Sequence, residues 1–353
     1  MAKRSQPKNA RFVIGIDFGT LSGRALIVNV DTGEEVGYGV HEYAHGSIEE
    51  TLPGSRRRLP PDFALQHPND YLEVLFQAVP KAIKSARIRG DQVVGIGTDF
   101  TSCTMLPTRH DGRPLCLERQ WKDQPHAWVK LWKHHAAQPE ADRINEIALE
   151  RKERIISAYG GRYSSEWFFS KLLETLRHAP EVYQAADRFI EAGDWITWQL
   201  TGTESRNLSA AGFKAMWVYP NARKGWTYPS KDFFKALHPK LANVVSEKLG
   251  PTPLPLGTCA GGLTAEMAWR MGLIQGTPVA VGNIDAHVAV PACGVSRAGE
   301  MVMTLGTSTC HLLVETDPRK WRECAESWRM EWSPDRGDTR LAKPEWVISL
   351  PGM

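Results

Sequence analysis

Near the start of the chain, three short runs, the first two almost wholly apolar, are separated by polar and glycine-containing stretches and read as a β-meander. The runs read as strands from Phe12 to Ile16, from Ala25 to Val30 and from Glu35 to about His45, with Asp31, Thr32 and Gly33 as a hairpin turn. From Asn69 the period changes. Leu72, Leu75, Phe76, Val79 and Ile83 recur at steps of three and four, so 69–88 is predicted to be an amphipathic helix, bent at Pro80. Val93 to Thr98 reads as a buried strand, and strand, helix, strand implies an α/β layer architecture. Residues 125–245 read as mostly helical: Trp128, Leu131 and Trp132 share a face, Trp167, Lys171 and Glu174 fall at helical spacing, and Asp194 to Leu200 stops at Thr201 and Gly202. After a Pro-rich turn from Pro251 to Pro255, Thr264 opens a helix to Leu273, and Gly276 to Pro278 leads into a strand from Val279 to Ile284. This change of pattern places a domain boundary near residue 255.

The first hairpin has a counterpart near the other end of the chain. Val13 to Val28 and Met301 to Val314 are each an apolar strand, a Gly-Thr hairpin and a second apolar strand. A hairpin glycine lets the backbone come close to a ligand, and the hydroxyls and exposed N–H groups beside it form a nest for anionic oxygens. Two such nests suggest a phosphate chain gripped from both sides. Asp17, at a strand's carboxyl end just before Gly19 and Thr20, can hold Mg²⁺ directly or through water, or can cap an ordinary hairpin; repetition of the device favours the phosphate reading. Asp285 ends a strand and opens a helix of small residues (Ala286, Ala289, Ala292), a position open to a plain N-cap or to a base that accepts a hydroxyl proton in phosphoryl transfer.

Composition narrows the class. The 353 residues are 42% hydrophobic and 24% charged, enough for a sizeable core and more than one compact lobe. No apolar run approaches the length of a membrane span, and the polar N-terminus lacks a signal-peptide core, so a cytoplasmic protein is expected. Six scattered cysteines without C-x-x-C spacing fit reduced thiols. Net charge is only +3, and Arg56, Arg57 and Arg58 lie in a loop between prolines, so neither nucleic acid nor membrane is an expected partner. His134, His135, His287 and His311 lack metal-ligand spacing and read as packing or surface residues. Trp121 beside Asp123, and Trp217 near Lys214, can wall a sugar pocket.

The stretches Gly15–Arg24, Asp99–Thr104, Val129–Gln138, Ser165–Glu174, Ala211–Trp217 and Val281–His287 together resemble the FGGY carbohydrate kinases, within the actin/hexokinase-type ATPase superfamily of ribonuclease H-like fold. Six blocks in the family's order, from about residue 11 to 315, are far more specific than a lone Gly-rich loop. The resemblance implies ATP-dependent phosphorylation of a ketopentose, L-ribulose, at its 5-hydroxyl, with ATP and Mg²⁺ as cofactors and Asp285 as catalytic base. It assigns Gly19, Thr20, Ser22 and Arg24 to the first phosphate loop, Gly306, Thr307 and Ser308 to the second, Asp17 to Mg²⁺ through water, and Lys214 and the backbone around Ser102 to the sugar. Without it, Lys214 reads equally well as a surface lysine lying over Trp217. A homodimer is left open as the assembly.

The end of the chain departs from the family. Members carry a second domain of about the first one's size, whereas few residues follow Thr309 here, and the Trp- and Arg-rich segment from Thr316 to Glu345 does not resemble the family. Pro351 to Met353 resembles its next motif. The expectation is an α/β protein with a complete first domain and a truncated second one: a disordered tail over 1–10, a sugar-binding domain over 11–255, the start of a nucleotide-binding domain over 256–315 and an atypical tail over 316–353. The strands of the second hairpin would then lack sheet partners, and the chain alone would be a weak kinase or none. The competing readings are another pentulose or polyol kinase, a non-catalytic sugar-binding remnant, and an actin-like or chaperone-like ATPase, the last disfavoured by the Asp99–Thr104 stretch and Lys214.

Overall fold

Strand β1, Phe12–Phe18, buries Phe12, Ile14, Ile16 and Phe18 and turns Val13 and Gly15 outward, so burial alternates along a strand whose first five residues are all apolar or glycine. The computed structural model describes residues 9–218, 227–305, 309–315 and 346–351. β1 pairs antiparallel with β2, Ser22–Asn29, which pairs antiparallel with β3, Glu35–Glu42. Gly33, with φ of 70°, makes the left-handed turn between β2 and β3. Helix α1, Pro68–Ala86, runs through Pro80 and packs on β2 and β3. It sits so close that a Cβ at Gly39 would collide with the Ala78 carbonyl oxygen, and one at Gly37 with the backbone of Ala86. Gly39→Val is therefore expected to cost about 3 kcal/mol in urea denaturation, while Gly15→Ala, with nothing within 4 Å of the added carbon, stays within about 0.5 kcal/mol.

After α1 the chain enters β4, Val93–Phe100, parallel to β1. Through the middle of the molecule, short strands Leu65–Gln66, Val129–Lys130, Met105–Thr108 and Arg188–Glu191 form a second sheet. Beside it lie α2, Phe168–His178, α3, Ala192–Thr201, and α4, Leu208–Lys214. Residues Phe168 to Leu176 of α2 are all buried, charged ones included.

The first sheet does not end where the pattern changes. β5, Cys259–Gly262, α5, Ala265–Met271, and β6, Pro278–Ala280, follow, with β6 parallel to β4 and antiparallel to β5. The order across the sheet is β3-β2-β1-β4-β6-β5. Residues 259–280, expected to open a second domain, are thus hydrogen-bonded into the sheet of the first, and that sheet runs across position 255. Thr264 caps α5 as its sequence suggests, its hydroxyl accepting from the Met267 N–H at 3.3 Å. The predicted strand from Val279 to Ile284 is broken: β7, Asn283–Ile284, pairs separately with β4, beyond Gly282, which packs close to Thr98 and the Gly193 carbonyl.

Helix α6, Asp285–Ala292, precedes the second hairpin, β8, Met301–Leu305, and β9, Thr309–Glu315, which pair antiparallel with Leu305 opposite Thr309. Val302, Leu312 and Val314 of the hairpin form a small core with Val290 of α6. The expectation that this hairpin lacks partners is corrected on one side: β10, Trp346–Pro351, pairs antiparallel with β9. Backbone donors along β9 that would otherwise face an open edge are satisfied in this way. Gly306, Thr307 and Ser308, residues 1–8 of the expected N-terminal tail and residues 316–345 lie outside the described residues. Among the described residues no helix is long and apolar enough to cross a membrane.

Candidate active site

Three strands bring three carboxylates to one edge of the sheet. Asp17 lies opposite Asp99 in the parallel register of β1 and β4, Asn283 lies opposite Asp99 in that of β7 and β4, and the chain turns from Ile284 into α6 at Asp285. The carboxyl ends of parallel strands are where open α/β sheets bind ligands. Phe18 and Phe100, the next residues on β1 and β4, stack at 5.0 Å beneath the site.

The carboxylates do not titrate alike. Burial pushes Asp99 up to about 8, reinforced by the charge of Asp17, a hydrogen bond shared with it, and the charge of Asp285. Asp285 is raised to about 6, again by burial first; the Ala286 N–H bond to its Oδ1, at 2.7 Å, and the nearby Lys214 ammonium hold it down. Asp17 accepts from Arg24 Nη1 at 2.7 Å. Near neutral pH, then, Asp285 is mostly ionised while Asp99 mostly keeps its proton. Carboxyl groups whose surroundings push their pKa values apart are a common feature of acid–base sites.

Asp99 lies in a stretch that carries the family resemblance, but no local rule assigns it a role. An acid at the end of an apolar strand was the available signal, since such a group is costly to bury. A carboxyl whose pKa rises on folding supports stability below its unfolded pKa and loses that support as pH rises, here from about 4 to about 8. Asp99→Asn should therefore melt like the parent near pH 4 and become more stable than it by several kcal/mol by pH 8. Equal melting at both pH values would contradict the placement of Asp99.

At the first hairpin, the Gly19 N–H donates to the Ser22 carbonyl at 3.0 Å, and a Cβ on Gly19 would press against that oxygen at 3.2 Å. Thr20 is held from two sides: its Oγ1 accepts from the Trp132 indole N–H at 3.0 Å, and its carbonyl accepts from Gln66 Nε2 at 2.8 Å. The hydroxyl proton is thereby left to donate to an incoming oxygen. Arg24 points at Asp17 rather than standing apart as a phosphate ligand, but both side chains are accessible, so the pair is weak enough to yield to a phosphate or a cation.

The turn that contains Ser102 follows directly on the carboxyl end of β4. Thr101 and Thr104 share a hydrogen bond of 2.8 Å between their hydroxyls, and Cys103 adopts φ of 59°. Lys214 closes α4 with its ammonium 5.2 Å from the centre of the Trp167 ring. Trp217, the expected neighbour of Lys214, instead packs edge-on to Tyr228 at 4.9 Å, and Trp121 packs against the helical core. His287 is a packing residue, as its lack of ligand spacing suggests: Nδ1 meets Ser209 Oγ at 2.7 Å, the ring lies against Phe213, and burial lowers its pKa to about 3. Asp17, Asp99 and Asp285 thus meet at one sheet edge within the field of Lys214, with the Thr20 hairpin following β1 and the Ser102 turn following β4.

Residues 12–291 match the FGGY family of carbohydrate kinases, N-terminal domain. The chain belongs to this family. Among curated FGGY relatives, the ribulokinase of Shouchella clausii is 54% identical over 310 residues, covering 88% of this chain and 54% of the relative. The ribulokinase of Staphylococcus aureus strain Newman is 39% identical over 303 residues, covering 86% of this chain and 54% of the relative. The chain spans about half the length of the curated relatives it matches. Among solved structures, the xylulose kinase of Rhodospirillum rubrum superposes with a TM-score of 0.69 at 19% identity, covering 97% of this chain and 60% of that one. The glycerol kinase of Plasmodium falciparum, with ADP, gives 0.69 at 14% identity, covering 98% and 62%. At such identities the superpositions establish the actin/hexokinase-like fold alone.

Proposed function

We propose that the constellation at Asp285 is the acceptor side of an ATP-dependent pentulose kinase, which converts L-ribulose to L-ribulose 5-phosphate. The observation that carries this is the position of Asp285: a half-desolvated carboxylate with its pKa raised to about 6, within the field of Lys214 and at the same sheet edge as Asp17. The ribulokinase names of relatives at up to 54% identity support the choice of sugar.

In this reading Lys214 and the backbone around Ser102 hold the sugar so that its 5-hydroxyl faces Asp285. Asp285 accepts the hydroxyl proton while that oxygen forms a bond to the γ-phosphorus of ATP and the bond from phosphorus to the ADP oxygen breaks. The Thr20 hydroxyl and the hairpin N–H groups cradle phosphate oxygens, and Gly306, Thr307 and Ser308 are assigned to the opposite side of the phosphate chain. The hard carboxylate oxygens of Asp17 suit Mg²⁺, held directly or through water. When bound, Mg²⁺ neutralises phosphate charge.

Melting curves over a panel of pentuloses and polyols, with and without MgATP, test the reading. L-ribulose is expected to raise the melting temperature most, with a further rise on adding MgATP. Stabilisation by MgATP with no response to any sugar would overturn it.

A further inference from the structure

Lys171 is fully buried on α2, and among the described residues it forms no ion pair. Its three donors go to backbone carbonyls instead: Cys103 at 2.7 Å, Leu131 at 2.7 Å and Trp132 at 3.5 Å. Burying an ammonium without a bonded carboxylate is expensive, and here burial pushes its pKa down to about 8. A methionine would fill the same space at no such cost, so the charge has a use other than packing.

The two segments it gathers are both site segments. Cys103 follows Ser102 in the turn assigned to the sugar, and its φ of 59° is a left-handed conformation that a side chain other than glycine holds only when its surroundings enforce it. Leu131 and Trp132 form the other segment, and the Trp132 indole carries the Thr20 hydroxyl at 3.0 Å. Lys171 is itself fixed, since its carbonyl accepts from Lys130 Nζ at 3.0 Å and from Thr175 Oγ1 at 3.0 Å.

We propose that Lys171 is a positioning residue that clamps the sugar-side turn at Cys103 and the Leu131–Trp132 segment together, so that the sugar site and the Thr20 phosphate hairpin are held in one geometry. This rests on the sugar and phosphate assignments made above. The strained turn is kept by the Cys103 carbonyl bond, and the hairpin is kept in register with it through Trp132. Sugar occupying the turn therefore stiffens Thr20, although the two are on separate loops.

Hydrogen exchange and L-ribulose calorimetry on the full chain and two variants test this. Lys171→Met should speed exchange over 101–104 and 131–133 by about tenfold or more, spare the strands around β1, and weaken L-ribulose binding at least about tenfold under conditions where the variant is fully folded. Lys171→Arg, which keeps donors, should recover part of that affinity. Binding by Lys171→Met within about twofold of the parent, or faster exchange spread evenly over the chain, would overturn the clamp. If Lys171→Met does not fold, Trp132→Phe decides: L-ribulose should still protect 101–104 but no longer 19–21, and equal protection of both would overturn the proposal. Absence of L-ribulose binding in the parent defeats the assigned function, and the exchange contrast without sugar still judges the clamp.

Discussion

Asp285→Asn is expected to lower phosphoryl transfer to L-ribulose by roughly a thousandfold while leaving sugar affinity within about tenfold. Asparagine keeps the shape and the Ala286 N–H bond that orients the side chain, but it cannot take the hydroxyl proton. Because the chain spans about half of its curated relatives, the rate is best read in a version extended beyond residue 315 by the C-terminal half of one of them, with calorimetry reporting sugar affinity separately. The pH profile gives a second readout. Asp285 must be ionised to act as base, and burial has raised its pKa to about 6, so the parent rate should fall roughly tenfold per pH unit below that point. Near-parental turnover by Asp285→Asn would reduce Asp285 to a helix cap and place the base elsewhere.

The second large effect concerns stability. Glu174 is buried on α2, where it takes Lys130 Nζ at 2.5 Å and His134 Nε2 at 2.9 Å. The Ala64 N–H donates to His134 Nδ1 at 3.3 Å, so the ring carries its proton on Nε2 and gives it to Glu174. Burial alone would raise the Glu174 pKa, but Lys130 and His134 hold it well below the carboxylate range. Glu174→Gln leaves the Lys130 ammonium buried without a counter-charge and should cost about 3–5 kcal/mol in urea denaturation. The double variant Lys130→Met, Glu174→Leu removes both charges and should recover most of that loss. A carboxylate with a depressed pKa supports stability above its unfolded value and loses that support below it, so the parent should also weaken as pH falls below about 4.5. A cost under about 1 kcal/mol for Glu174→Gln would show that the pair carries little.

Much of this site is legible from sequence because it follows local rules. The apolar run from Phe12 and the Gly19-Thr20 turn locate the first hairpin, and the strand-to-helix junction locates Asp285. The position of Asp99 is not legible locally because it depends on register: only pairing with β1 and β7 sets it between Asp17 and Asp285. Helical spacing of Trp167, Lys171 and Glu174 predicted α2 but could not show that all three point inward, since a helix with buried charges has the pattern of one with a solvated face. The pairing of β6 with β4 was hidden for the same reason as Asp99: it joins distant segments, and composition changes near 255 although the sheet does not. Lys214 is legible only through the family resemblance, and its aromatic partner is Trp167 rather than the sequence neighbour Trp217.

Isothermal titration calorimetry of the chain with L-ribulose, beside Lys214→Met, is the most direct measurement of whether a pentulose occupies the space between Lys214, the Ser102 turn and Asp285. Saturable binding of one sugar per chain is predicted, weakened at least about tenfold in Lys214→Met. No binding by the parent chain, or equal binding by both proteins, would contradict it.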